Sequence, residues 1–261
     1  MSKIHPTAII EDGAIIGENV SIGAYSYISK DVKIGDNTTI GSHTLIEGNT
    51  TIGKGNQIFS HAVIGSIPQD LKYAGERVEL IIGDNNKIRE FTLINPGTKG
   101  GGSITKISNG NLLMGYVHIA HDVIIGNRCI LANGATLAGH VELGDGVVIG
   151  GLTPIHQFVK IGDLAMVAGA SALSQDVPPY CLVEGNRAYL RGLNLTGLRR
   201  HLPKEDINML KKAYKELFSG KMPLRDVANS LKNSPNEHVA KLANFILNSK
   251  RGIAFKRSQD W

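Results

Sequence analysis

The chain has 261 residues, of which 42% are apolar, 20% charged and only 5% aromatic, with 31 glycines and a formal net charge of +5. That length suits one large domain or two modest ones, no apolar run approaches the ~20 residues that span a bilayer, and no charged-then-apolar leader opens the chain. Two cysteines, Cys129 and Cys181, exclude a disulfide framework and fit a reducing compartment, so a cytoplasmic location is expected.

From the N-terminus, Ile occupies positions 4, 10, 16, 22, 28, 34, 40, 46, 52, 58 and 64, eleven consecutive hits at a spacing of six. The register returns at Ile82, Ile88 and Ile94. It then runs from Ile107 through Leu113, Ile119, Ile125, Leu131 and Leu137 to Leu173. A helix cannot use that spacing, because six residues at about 100° each turn successive Ile to different directions. Simple strand alternation fails too, since the positions between are often Gly, Asn or Asp. The period fits a parallel β-helix in which each sextet is a short strand plus a corner, with one aliphatic side chain inward and roughly 18 residues per coil. Gly follows the periodic Ile at 17, 23, 35, 41, 53, 65, 83, 126, 144, 150 and 162, where a corner is expected to need its freedom.

Two segments break the count. Residues 65–81, "GSIPQDLKYAGERVELI", are polar, and residues 95–106, "NPGTKGGGSITK", are dominated by Gly. Both read as loops thrown out of the prism, and loops on a rigid scaffold often carry function. The repeat ends after Ser174. From about Pro203 a helical period replaces it, with faces Ile207, Leu210, Tyr214, Leu217 and Phe218, then Leu224, Val227, Ala228 and Leu231, then Val239, Leu242, Ala243 and Ile246. Pro203 suits a first helical turn. The expected division is a β-helix over 1–185 and a helical domain over 186–261. The helical part holds 16 Lys and Arg against 6 Asp and Glu, so either an acidic partner or an ordinary solvated face is implied.

With about 18 residues per coil, Ile119, Leu137 and Ile155 stack on one edge, and His118, His121, His140 and His156 gather beside them. Such a cluster suits a base, a metal site or a structural ladder of rings. In "HIAHD", the adjacent Asp122 is suited to orient a neutral imidazole through its other nitrogen. A zinc site like that of gamma-type carbonic anhydrases, with three His shared between subunits, stands as the competing reading.

The segments "QDLKYAGE" (69–76), "NLLMGYVHIAHD" (111–122), "RCILANGATLAGH" (128–140), "GGLTPIHQF" (150–158) and "SQDVPPY" (174–180), followed by a basic helical tail, resemble the UDP-N-acetylglucosamine O-acyltransferases over essentially the whole chain. The resemblance implies an all-β left-handed parallel β-helix with a C-terminal α-helical domain. The left hand comes from it alone, since the general rule for parallel crossovers predicts the opposite. It further implies transfer of a β-hydroxyacyl group from acyl carrier protein to the 3-position of UDP-N-acetylglucosamine, the start of lipid A synthesis, in a homotrimer with sites between subunits. By the match, His121 is the general base, Asp122 orients it, and the Gly139 N–H is the oxyanion donor. Gln69, Asp70, Lys72, His118, His140, His156, Gln157, Asn194 and Arg200 fall on substrate contacts. Gly169, in "MVAGAS", falls on the acyl-chain ruler, where glycine leaves room for a longer chain. No bound cofactor, metal or nucleic acid is expected; the acyl group arrives on the phosphopantetheine of the carrier. Thr196 and His201 depart from the family's Glu and Arg in the nucleotide region. A 3-amino sugar nucleotide, acylated on nitrogen, remains an alternative acceptor.

Overall fold

The computed structural model describes residues 3–255. Each sextet makes a two-residue strand whose second member is the periodic aliphatic, and these strands stack into three parallel sheets. A strand pairs with the third one after it: Ser21–Ile22 with Thr39–Ile40, and that with Gln57–Ile58, an offset of 18 residues. The first sheet has eleven strands, beginning at Lys3–Ile4; the second and third have eight each, beginning at Ile9–Ile10 and Ile15–Ile16.

Successive side chains of a strand point to opposite faces, so the second residue of each pair is buried inside the prism. Ile28, Ile46, Ile64, Ile94 and Ile119 form one such column, each 0% exposed. Every one contributes roughly 1.5–3 kcal/mol of burial, so a core forms almost without aromatics. The prism is open at its base: Ile4, the inward residue of the lowest strand of the first sheet, is exposed. Ile94 lies directly beneath Ile119 in the strand register. Ile94→Ala is expected to lower stability by about 2–5 kcal/mol, measurable as a reduced denaturant midpoint.

The glycines after the periodic Ile have a different cause from the one expected. Gly65 alone in that set has a positive φ, +86°. At the others the coils pass too closely for a side chain: a Cβ on Gly41 would lie 2.5 Å from the Ser60 nitrogen, and one on Gly23 would lie 2.6 Å from that of Ser42. The left-handed corner falls two residues later, on side chains such as Asn19, Asn37, Asn85 and His43, with φ of 54–57°. Asn tolerates this region better than most residues. On the corner between the first and second sheets these positions carry Tyr25, His43, His61, Phe91 and Tyr116, whose rings stack at 4.9–5.2 Å.

The loops are shorter than expected. Glu79–Ile82 and Ile104–Ile107 are strands that pair with each other, and Glu79–Ile82 also pairs with Asn49–Ile52. Residues 79–81 and 104–106 therefore belong to the third sheet, and the loops are 65–78 and 95–103. The pairing offset rises from 18 to 30 across the first loop, as in Val63↔Leu93, and to 25 across the second, as in Leu93↔His118. Both loops leave from the corner between the second and third sheets.

The first sheet also continues past the expected end of the repeat. Cys181–Glu184 adds parallel to Met166–Val167, and Tyr189–Leu193 returns antiparallel to it. The boundary drawn at 185/186 falls inside this hairpin, and the helices begin at residue 195. They are α1 (Leu195–His201), α2 (Lys204–Leu217), α3 (Leu224–Leu231) and α4 (Glu237–Asn248). The short α1 was not expected; it is nucleated by Asn194, whose side chain accepts from the Gly197 N–H. Pro203 is the N-cap of α2, one place before the first turn. The expected faces are the ones packed, with Ile207, Leu210, Leu217, Val227, Ala228, Val239, Leu242, Ala243 and Ile246 buried in one continuous core with the prism. The expected helical domain extends to 261, of which 256–261 lie outside the described residues. No helix among those described is long and apolar enough to cross a membrane.

Candidate active site

The corner between the second and third sheets, where both loops leave, carries the histidines. Asp122, His140 and Phe158 occupy its equivalent position in three successive coils, each with φ of 60–64°. Their side chains therefore rise in file. His140 stacks on Phe158 with centroids 4.3 Å apart and 7° between planes, and meets His121 edge-on at 5.0 Å.

His121 Nδ1 lies 2.8 Å from Asp122 Oδ2. The carboxylate is buried, so it needs partners, and the second loop supplies them: the Thr98 N–H donates to Oδ1 at 2.9 Å and the Thr98 hydroxyl to Oδ2 at 2.6 Å. The Asp122 N–H donates to Thr105 Oγ1. Two glycines are pressed against this line. A Cβ on Gly101 would lie 2.1 Å from the Asp122 carboxyl carbon, and one on Gly139 would lie 2.5–2.6 Å from the His121 ring. Among the described residues the Gly139 N–H donates to no acceptor.

Burial lowers the pKa of His118, against the opposing pull of the Leu93 backbone and with the neighbouring His121 adding to the effect. Its Nδ1 is buried without a partner among the described residues. Burial likewise lowers that of His140, against the pull of Asp122 and Asp70. His121, Asp122 and His140 present donor atoms within 4.8 Å of one another, close enough to converge on a cation. The 2.8 Å contact is a hydrogen bond, however, and the arrangement as it stands is that of an oriented imidazole.

Beside this line the two loops enclose a cavity of about 590 Å³ lined by Asp70, Lys72, Glu76, Thr98, Lys99 and Gly100. Gln69 is exposed at its edge in sequence, one residue before Asp70. His118, His121 and His140 thus sit together with the loop that carries Asp70 and Lys72. His156 and Gln157 are on the same corner but turned out to solvent, and His156 Nδ1 faces Arg251 at 3.2 Å. Asn194, Arg200 and Gly169 lie elsewhere on the chain. Asn194 caps α1 and donates to the Leu164 carbonyl on the corner between the third and first sheets, and Arg200 is exposed on α1. Gly169 is on the corner between the first and second sheets, and a Cβ there would meet Gly151 backbone atoms at ordinary contact distances of 3.4 and 3.6 Å. Thr98, Thr105, Gly101 and Phe158 were missed in the sequence. "NPGTKGGG" marks a tight loop, but nothing in it shows that Thr98 meets a carboxylate 24 residues away.

The chain is similar to known proteins along its length. Residues 13–48 and 104–139 match the bacterial transferase hexapeptide (six repeats) family model, and residues 176–254 match that of UDP-N-acetylglucosamine O-acyltransferase, domain 2. An acyl-[acyl-carrier-protein]–UDP-N-acetylglucosamine O-acyltransferase from Sulfurovum sp. is 71% identical over 98% of this chain and 99% of its own length. The chain belongs to this family. An Aliarcobacter butzleri member is 67% identical over 98% of the chain and 100% of its own. The solved UDP-N-acetylglucosamine acyltransferase from Campylobacter jejuni is 52% identical, covers 98% of this chain and 100% of its own, and superposes with a TM-score of 0.94. The left-handed winding implied by the resemblance holds for this family member, against the general right-handed preference. As a family member it is an acyltransferase.

Proposed function

We propose that the protein transfers a β-hydroxyacyl chain from the phosphopantetheine of acyl carrier protein to the 3-hydroxyl of UDP-N-acetylglucosamine, the first step of lipid A synthesis. The reading rests on one observation above all: a buried Thr98–Asp122–His121 line that ends beside an amide with no acceptor of its own. Asp122 accepts from Nδ1–H of His121 and so fixes the tautomer whose Nε2 is free to take a proton. That nitrogen removes the proton of the sugar hydroxyl as its oxygen bonds to the thioester carbonyl carbon. The Gly139 N–H stabilises the negative charge that grows on the carbonyl oxygen. The carbon–sulfur bond then breaks, and the leaving thiolate takes the proton back from His121.

No acyl-enzyme is required. Cys129 is buried, with its thiol pushed up to about 12 by burial, and burial raises that of Cys181 as well. In this scheme Gln69, Asp70, Lys72, His118, His140, His156 and Gln157 hold the sugar nucleotide and donor. Asn194, Arg200 and Gly169 act from a neighbouring subunit of a homotrimer, which reconciles their distance from the His121 corner with a substrate role. The exposed Arg199, Arg200, Lys204, Lys211, Lys212 and Lys215 of α1 and α2 form a basic surface suited to an acidic carrier protein in the cytoplasm.

Incubating the purified protein with carrier-bound donors of several lengths and with either the 3-hydroxyl or the 3-amino nucleotide tests the reading. The expected product is the O-acyl sugar nucleotide, made by a species of trimer mass. Product with the amino acceptor alone would replace O- by N-acylation, and no product with either would overturn the proposal. In the same assay Gly169→Met, for which there is space, is expected to shift preference toward shorter donors. An unchanged length profile would remove Gly169 as the ruler.

A further inference from the structure

We infer that Thr98 is a positioning residue for acyl transfer: its hydroxyl shares Asp122 Oδ2 with the His121 Nδ1–H and so sets how strongly the carboxylate pulls on the base. The inference rests on the proposed role of His121. Thr98 is 4% exposed and its own carbonyl accepts from the Gly101 and Ser103 N–H groups, so a tight turn locks it in place. Its hydroxyl and the imidazole reach the same oxygen, at 2.6 and 2.8 Å, while its N–H holds the other oxygen at 2.9 Å. Donors to one oxygen compete for its charge. The hydroxyl therefore draws part of the carboxylate's charge away from the ring, and the separate N–H keeps the carboxylate aimed.

Removing only the hydroxyl leaves that aim intact and strengthens the pull on His121. A stronger pull favours the imidazolium. The base then loses its proton at higher pH, and the acid limb of the kcat/KM profile moves up. The other groups facing the ring do not change in this comparison: His140 meets it edge-on, His118 interacts with it from the preceding strand, and Asp70 acts through His140. Lys72 and Lys99 line the adjoining cavity.

The test is the pH profile of kcat/KM for wild type, Thr98→Val and Thr98→Ser, with thermal midpoints recorded alongside. Thr98→Val is expected to move the acid limb upward by about half to one pH unit, and Thr98→Ser to return it. A purely structural role would lower the rate at every pH with the limb in place, and that result would overturn the inference. Thr98→Ala carries the same comparison should the valine variant not fold. His121→Ala in the same assay separates the two levels. If it keeps the wild-type rate, the base assignment itself is wrong; if it is inactive while Thr98→Val leaves the limb unmoved, only the role of Thr98 falls.

Discussion

His121→Ala is expected to lower kcat for acyl transfer by about 10²- to 10⁴-fold, the usual worth of a positioned general base, with KM little changed and the fold retained. The fold should survive because the ring lies at a corner of the prism, outside the aliphatic column, and its side chain keeps 14% of its surface exposed. Asp122 is not orphaned by the change, since Thr98 still donates to both of its oxygens. That distinction matters, because stripping every partner from a buried carboxylate would itself be strongly destabilising. Steady-state rates with one donor and one acceptor, read beside the thermal midpoint, are sufficient. A rate within a few-fold of wild type at an unchanged midpoint would remove His121 from the chemistry.

Gly139→Ala is expected to be nearly as damaging, by about 10²-fold or more in kcat, although it adds a single methyl group. The added Cβ would stand 2.5 Å from Cε1 and 2.6 Å from Nε2 of His121, closer than side chains approach one another. The ring must move, the 2.8 Å contact with Asp122 opens, and the amide that faces the reaction shifts with its residue. The backbone there does not have a positive φ, so alanine brings no conformational strain of its own. The loss is therefore attributable to displacement of the ring and of the amide. A second background isolates the share of the ring. Placed on a His121→Ala background, Gly139→Ala should cost far less than it does alone, because residues that act as a unit are not additive. Equal losses on both backgrounds would show that Gly139 acts independently of the ring.

The architecture was legible because its signal is one-dimensional. A beat of six in Ile and Leu specifies which side chains point inward, and the same beat carries His121 and His140 to one corner in successive coils. Loop limits are harder to read: the beat stops being visible at "ELII" and "ITKI", where four-residue strands put extra apolar residues on the sheet, so strand reads as insertion. The reason for the repeated glycines is equally hard to read. Close passage of two backbones is a relation between residues 18 apart, whereas turn chemistry is local, and only the local cause suggests itself in a linear text. The same holds for Thr98, whose partner is in another coil, and for α1, too short to show a period. Asn194, Arg200 and Gly169 came to attention only through the family resemblance; one chain by itself gives them no common location with the base.

Both insertions depart from a single corner, in adjoining coils, and the pairing resumes in register beyond each of them. As fittings on the prism the two are not equivalent: the second is bolted to that corner by Thr98 and Gly101 at Asp122, whereas the first, which carries Asp70 and Lys72, makes no such tie to that carboxylate among the described residues. A lineage is accordingly freer to exchange or resize the first insertion than the second while the mounting of His121 stays as it is.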